Sequence, residues 1–239
     1  IIDKNEITNN KIIESDFRTT AISEGTKEIL EKFGFWQKIN KKSQPIKSIK
    51  VFDRTNNNNI DFFNHKKNIQ LGYIVENKFL KRIFLDEIKK NKYLTLVEHS
   101  SIKNIEFTND FVVINTQNDD FQTSLLIASD GKNSYLRKNL KQQFFSKQYN
   151  QSAIVINFSH SYSHSNTAYE MFYNSGPLAT LPMLNDKNNY RSSLIWSHDP
   201  RFINSLYSLN NNFLSSVIEE HIKKVLGNVI NIINKQKFS

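Results

Sequence analysis

The segment Leu125–Arg137, LLIASDGKNSYLR, carries the residue types best suited to chemistry in this chain. Leu125, Leu126 and Ile127 read as a buried strand, and Asp130-Gly131 follows at its end. Glycine has no Cβ, so the backbone can turn sharply at Gly131 and pass close to a ligand. A carboxylate at a strand end can orient backbone donors or sugar hydroxyls. A short helix is expected after Gly131. The same Asp-Gly pair also suits a plain turn.

Other chemistries lack their residue patterns. The His residues are His65, His99, His160, His164, His198 and His221, and none forms an H-E-x-x-H pair. His160 and His164 lie in a Ser-rich stretch without a third ligand and are expected as surface polar residues. No Cys is present, which excludes disulfides and thiolate metal sites. There is no G-x-S-x-G, no Walker loop and no G-x-G-x-x-G, so the chain has no self-contained phosphate cradle. A site without its own nucleophile or metal suits a reaction carried by a cofactor.

The elements that must position such a site come next. The 239 residues are 38% hydrophobic and 12% aromatic, enough for a packed core. The net charge of +9 comes from scattered Lys, with no nucleic-acid-binding motif, and no nucleic-acid partner is expected. No apolar run reaches the roughly 18 residues of a membrane span. The N-terminus, IIDKNEITNN, has no signal-peptide pattern.

Ile1 and Ile2 read as the end of a strand closing on Asp3. Ala21 to Phe33 has helical spacing at Ile22, Ile29, Leu30 and Phe33, with Gly34 as its C-terminal cap. IKSIKVFDR and IQLGYIVE are strand candidates around a turn at Asn56 to Asn59. Asn77 to Lys90 reads as a helix with Leu80, Phe84, Leu85 and Ile88 on one face. YLTLVEH, SIKNIEFT, FVVINT and TSLLIAS are short extended runs, with turns at Asn109-Asp110 and Asn118-Asp119. AIVINFSH, AYEMFYN, PLATLPM and RSSLIWSH follow with short connections and read as antiparallel. Phe213 to Leu226 is an amphipathic helix, and NVINIINKQKFS closes as a strand. Trp36 and Trp196 are expected to pack rather than bind. The fold class is α/β (α+β).

LLIASDGKNSYLR resembles the second flavin motif of para-hydroxybenzoate-hydroxylase-like monooxygenases, through Asp130, Gly131, Ser134 and Arg137. Further blocks resemble the ubiquinone-biosynthesis hydroxylases of that family. DFRTTAISEGTKEILEKFGFW matches through Asp16, Arg18, Ala21, Ser23, Leu30, Gly34 and Trp36. GYIVENKFLKRIFL matches through Gly72, Tyr73, Val75, Glu76, Asn77, Leu80, Arg82 and Leu85. AYEMFYNSGPLATLPM and SSLIWSHDP match two later blocks, so the resemblance covers nearly the whole chain.

The resemblance implies an incomplete FAD-binding Rossmann-like domain (residues 1–45 and 77–145). This is interleaved with a mostly antiparallel substrate-domain sheet (residues 46–76 and 146–239). It implies the cofactors FAD and NAD(P)H and hydroxylation of a polyprenyl phenol. Asp3 would accept hydrogen bonds from the adenosine ribose. Arg18 would lie near the flavin or its pyrophosphate, and Asn77 near the cofactor. Asp130 and Gly131 would sit by the pyrophosphate and the reducing nucleotide. Gly176 to Pro182 would pass near the flavin ring. The family's opening G-x-G-x-x-G and its later G-D-A-A-H block are absent, so a chain cut at both ends is expected, with FAD bound poorly or not at all. An inactive remnant, an interaction subunit of a ubiquinone-biosynthesis assembly, and another flavoprotein of the same fold remain as alternatives. The expected location is cytoplasmic, with a peripheral seat on the inner face of the membrane as its variant.

Overall fold

The computed structural model describes residues 1–56, 58–64, 69–140, 143–186 and 189–238. Asn57 of the expected turn, His65 and Ser239 lie outside the described residues. The chain divides into two compact units, residues 1–12 with 87–148 and residues 13–86 with 149–239. The first elements are α1 (Asn10–Glu14), β1 (Thr19–Ser23), α2 (Glu24–Lys32), α3 (Trp36–Asn40), β2 (Ser43–Ile46), β3 (Ser48–Asp53), β4 (Asn59–Phe63), β5 (Gly72–Glu76) and α4 (Asn77–Lys90). Then come β6 (Ile102–Phe107), β7 (Val112–Thr116), β8 (Asp120–Thr123) and α5 (Tyr135–Asn139). The chain continues through β9 (Ser152–His160), β10 (Thr167–Tyr173), β11 (Gly176–Asp186), β12 (Asn189–His198), α6 (Pro200–Ser208), α7 (Asn211–Leu226) and β13 (Val229–Phe238). No described helix is long and apolar enough to cross a membrane.

The larger unit is built on a seven-stranded sheet of order β13-β9-β12-β11-β10-β3-β4. Its pairings are antiparallel except β3 with β10. One face carries Ile154, Ile156, Phe158, Met171, Leu178 and Leu194, all fully buried. Helix α7 covers them with Leu214, Ile218, Ile222 and Leu226, a stripe repeating every four residues. Phe213, expected on that stripe, is 66% exposed, because the stripe starts one residue later at Leu214. Gly227 ends the helix at φ +76, where a Cβ would collide with Ser161 Oγ, so the position admits only glycine. Helix α6 was not anticipated, although Asp199 as N-cap with Pro200 behind it is a readable start signal.

Behind the other face lies a second sheet of order β1-β5-β2. Strand β5 is buried on both sides. Tyr73 and Val75 pack with Ile22, Trp36 and Ile39. Ile74 packs with Ile46 and Ala168, and with Leu181 of the large sheet. A strand covered on both faces reads as a continuous apolar run, which is why GYIV shows no alternation. At Gly72 the two strands approach so closely that a Cβ would stand 2.9 Å from the Ile22 carbonyl.

Several local expectations are corrected. The helix expected from Ala21 begins only at Glu24, because Ser23 caps it by accepting from the Thr26 N–H. Ala21 and Ile22 are strand residues, and Ile29 and Phe33, expected on a buried stripe, are 54% and 72% exposed. Gly34 takes φ +75, as its cap role requires. Strand β11 lies inside the sheet between β12 and β10, despite its two prolines.

His160 and His164 are not surface residues; they are 0% and 3% exposed. The Nε2 of His160 meets Ser192 Oγ at 2.9 Å, and its Nδ1 meets the Tyr162 carbonyl at 2.8 Å. His164 Nε2 meets the Met183 carbonyl at 3.1 Å.

In the smaller unit β6, β7 and β8 form an antiparallel sheet with the two expected turns between them. Ile1 to Asp3 run beside Thr95 to Ser100, with a single parallel bridge between Ile2 and Val97. The extended run expected at Tyr93 to His99 reduces to that bridge. Leu125 to Ile127 form no strand, and Leu125 and Ile127 are 69% and 73% exposed. A strand forms only where a neighbour accepts from its N–H groups and donates to its C=O groups, and β8 ends at Thr123 with no described partner beyond it. The short helix after Gly131 forms as expected.

The buried histidines set a prediction. Burial lowers the pKa of His160 to about 4 and lowers that of His164 as well. The unfolded chain takes up protons near the ordinary histidine value while the folded chain refuses them. Stability is therefore expected to fall as pH drops from about 6.5 toward 4, by roughly 1–3 kcal/mol. Urea unfolding at pH 7 and pH 5 measures this, and His160→Gln should flatten the pH dependence.

Candidate functional site

In the larger unit the expected site residues Arg18 and Asn77 are neighbours. The Asn77 N–H donates to the Arg18 carbonyl at 3.0 Å, which joins the start of β1 to the start of α4. The Asn77 side chain does not cap its helix; its Oδ1 accepts from the Thr20 hydroxyl at 2.6 Å. The polypeptide just before β1 is tied to the large sheet by Asn157, whose Nδ2 donates to the Phe17 carbonyl at 2.8 Å.

Arg18 is organised by Asp16, which is 6% exposed. The Nε and one terminal nitrogen of Arg18 donate to the two Asp16 oxygens at 2.8 and 2.7 Å. Lys81, one turn into α4, donates to the same carboxylate at 2.7 Å. Burial alone would raise the Asp16 pKa. The hydrogen bonds and charges of Arg18 and Lys81 reverse this and hold it well below the usual carboxylate range. Arg18 is raised in turn, chiefly by the hydrogen bonds it donates to Asp16. One guanidinium nitrogen of Arg18 stays free of Asp16, and the side chain is 48% exposed. The D-x-R spacing placed Asp16 beside Arg18 in the sequence, but the reach of Lys81 depends on how α4 packs.

In the smaller unit Asp3 and Asp130-Gly131 are each built as turn-forming positions. Asp3 pairs its backbone with Val97 and Ser100, and its Oδ1 accepts from the Asn5 N–H at 2.8 Å. Asp130 Oδ2 accepts from the Leu136 N–H at 3.1 Å. Hydrogen bonds from Ser134 first, then from this backbone, lower its pKa. Ser134 caps α5 through the Arg137 N–H at 3.0 Å. Gly131 has φ +77 with nothing within 4 Å of a Cβ, so its conformation and not crowding calls for glycine. Beside this turn is an open apolar cleft of about 210 Å³, lined by residues including Phe107, Val112, Leu125, Leu136 and Leu140.

Arg18 offers a guanidinium donor, which suits phosphate oxygens. The turn at Gly131 offers room for a close approach. Among the described residues no group of three or more His, Asp or Glu could hold a metal ion.

Asp16 makes the positioning network testable. Asp16→Asn removes the charge that two cations share at a buried point. The variant is expected to lose about 1–3 kcal/mol of stability in urea unfolding, the exposure of Arg18 and Lys81 limiting the effect. Arg82→Ala, on an exposed pair with Glu14, should cost well under about 1 kcal/mol.

Residues 1–225 match the model of a family described as FAD binding domain. The chain is 27% identical over 215 residues to the ubiquinone hydroxylase UbiL of Rhodospirillum rubrum, covering 89% of this chain and 49% of that protein. It is 24% identical over 216 residues to the 3-demethoxyubiquinol 3-hydroxylase of Escherichia coli K12, covering 90% of this chain and 54% of that one. The chain thus spans about half the length of the curated relatives it matches. A crystal structure of a mutant of P. aeruginosa PqsL superposes with a TM-score of 0.75 at 12% identity, covering 100% of this chain and 65% of that one, a likeness of fold. With the family model matched over most of its length, the chain belongs to the FAD binding domain family.

Proposed function

We propose that this chain contributes the substrate-side sheet and one flavin-contact turn of an FAD- and NAD(P)H-dependent aromatic-ring hydroxylase acting on a polyprenyl phenol in ubiquinone biosynthesis. The observation that carries the reading is the family match over residues 1–225, together with relatives named as ubiquinone hydroxylases. On this reading residues 1–45 and 77–145 serve the cofactor, and residues 46–76 and 146–239 serve the substrate. A cytoplasmic seat, peripheral on the inner face of the membrane, suits a polyprenyl substrate.

The chemistry FAD supplies when bound is transfer of one oxygen atom of O₂ to an electron-rich ring at the expense of NAD(P)H. The chain's own residues bind and orient. Arg18, steadied by Asp16, would meet phosphate or flavin oxygens with its outer guanidinium nitrogen. Asn77 keeps its amide N–H groups for the cofactor, since Thr20 already occupies its oxygen. Asp3 would receive ribose hydroxyls, and Asp130 would hold the turn at Gly131 open toward the pyrophosphate. The apolar sheet face would keep water from the ring.

Titration of FAD with the purified chain tests this. Flavin fluorescence should be quenched, with affinity limited by the absence of a G-x-G-x-x-G cradle in these residues. Arg18→Ala should weaken the binding about ten-fold, the worth of one charge-assisted hydrogen bond. Unaltered fluorescence at every protein concentration would remove FAD binding from the chain's own abilities. Expression in a bacterium lacking a ubiquinone hydroxylase, scored by the ubiquinone it makes, tests the substrate assignment.

A further inference from the structure

The face of the large sheet turned away from α6 and α7 is only partly covered by the smaller sheet. Its first row, Ile49, Ala168 and Leu181, is sealed against Ile46, Ile74 and Leu71. The next row runs across all seven strands in register. At its centre Val51, Glu170, Ala179, Ile195 and Val155 stand opposite one another on β3, β10, β11, β12 and β9. Ile60 and Gln236 complete it on β4 and β13. Successive strand side chains alternate between faces, so these residues share the side opposite the buried Met171, Leu178, Trp196 and Ile154.

Glu170 is the only ionisable residue in that row. It is half-buried among Val51 and Ala179, and no described cation or hydrogen-bond donor reaches its carboxylate. Burial, with no compensating charge, raises its pKa. An unpaired carboxylate on an apolar sheet face costs stability, whereas Asp16 shows how the same unit pairs a buried acid. The group that would complete Glu170 is a hydrogen-bond donor attached to a flat apolar body.

We propose that Glu170 is the substrate-orienting residue of this face, accepting a hydrogen bond from the ring hydroxyl of a phenol laid over Val51, Ala179 and Ile195. This rests on the reading of the sheet as the substrate side and names the residue that selects a phenol there. A carboxylate acceptor distinguishes a phenol from its methyl ether, which fills the same space but donates nothing.

The test compares 4-propylphenol with its O-methyl ether, titrated calorimetrically into the whole chain, its Glu170→Gln variant and its Glu170→Leu variant. The original chain should prefer the phenol about ten-fold, the worth of a hydrogen bond to a charged group. The preference should shrink in Glu170→Gln and vanish in Glu170→Leu. Thermal unfolding supplies an independent readout: Glu170→Leu should melt at a higher temperature than the original chain, because it removes an unpaired acid. A phenol preference that survives in both variants overturns the role of Glu170 while leaving the face as an aromatic site. A lower melting temperature for Glu170→Leu also overturns it, by showing that the carboxylate has a structural partner. Binding of neither compound overturns the substrate-side reading together with the inference.

Discussion

The large sheet imposes the constraint on which the larger unit depends, since a sheet of seven strands has two faces and each must be dealt with. Helices α6 and α7 cover one with a stripe of fully buried aliphatic side chains. The small β1-β5-β2 sheet covers part of the other. Strand β9 shows the result: from Ile154 to His160 every residue is buried. Polar side chains on such a strand must find partners inside the protein. His160 does so through Ser192 and Tyr162, and Asn157 does so through the Phe17 carbonyl.

That last bond connects packing to the Asp16–Arg18 segment. Phe17 lies between Asp16 and Arg18, so anchoring its carbonyl to the sheet fixes the segment that carries both. Asp16 then gathers Arg18 and Lys81 from two different elements. The cost of burying Asp16 is offset because two cations stand within hydrogen-bond reach. Glu170 sits on the large sheet without such compensation, and this contrast gives the two acids different meanings. One holds the structure, and the other awaits a donor.

Much of the fold was legible from spacing. Helix α4 begins at Asn77 and ends at Lys90, and the four strands β9 to β12 follow the apolar runs that marked them. The cap residues behaved as their chemistry requires, with Gly34 and Gly131 at positive φ and Ser134 at an N-cap. Less legible were positions where two readings share one pattern. Ile22, Ile29 and Phe33 have helical spacing, yet Ser23 ends a strand between Ile22 and the rest. His160 and His164 stand among serines, a surface composition, but the strand they follow is the most buried in the sheet.

Locally encoded features were therefore determined by the sequence alone: turns, caps, and the ordered blocks that mark the family. Each depends on a few neighbouring residues whose conformational preferences act over one or two turns of chain. Tertiary structure decided which apolar segment acquired a partner. Ser152 to His160 gained strands on both sides and became a buried strand, whereas Leu125 to Ile127, equally apolar, gained none and stayed exposed. Pairing is a property of two segments distant in sequence, so no single segment contains it. The same reason hid the joining of Asp16 with Lys81 and left Glu170 looking like any other acid on a strand.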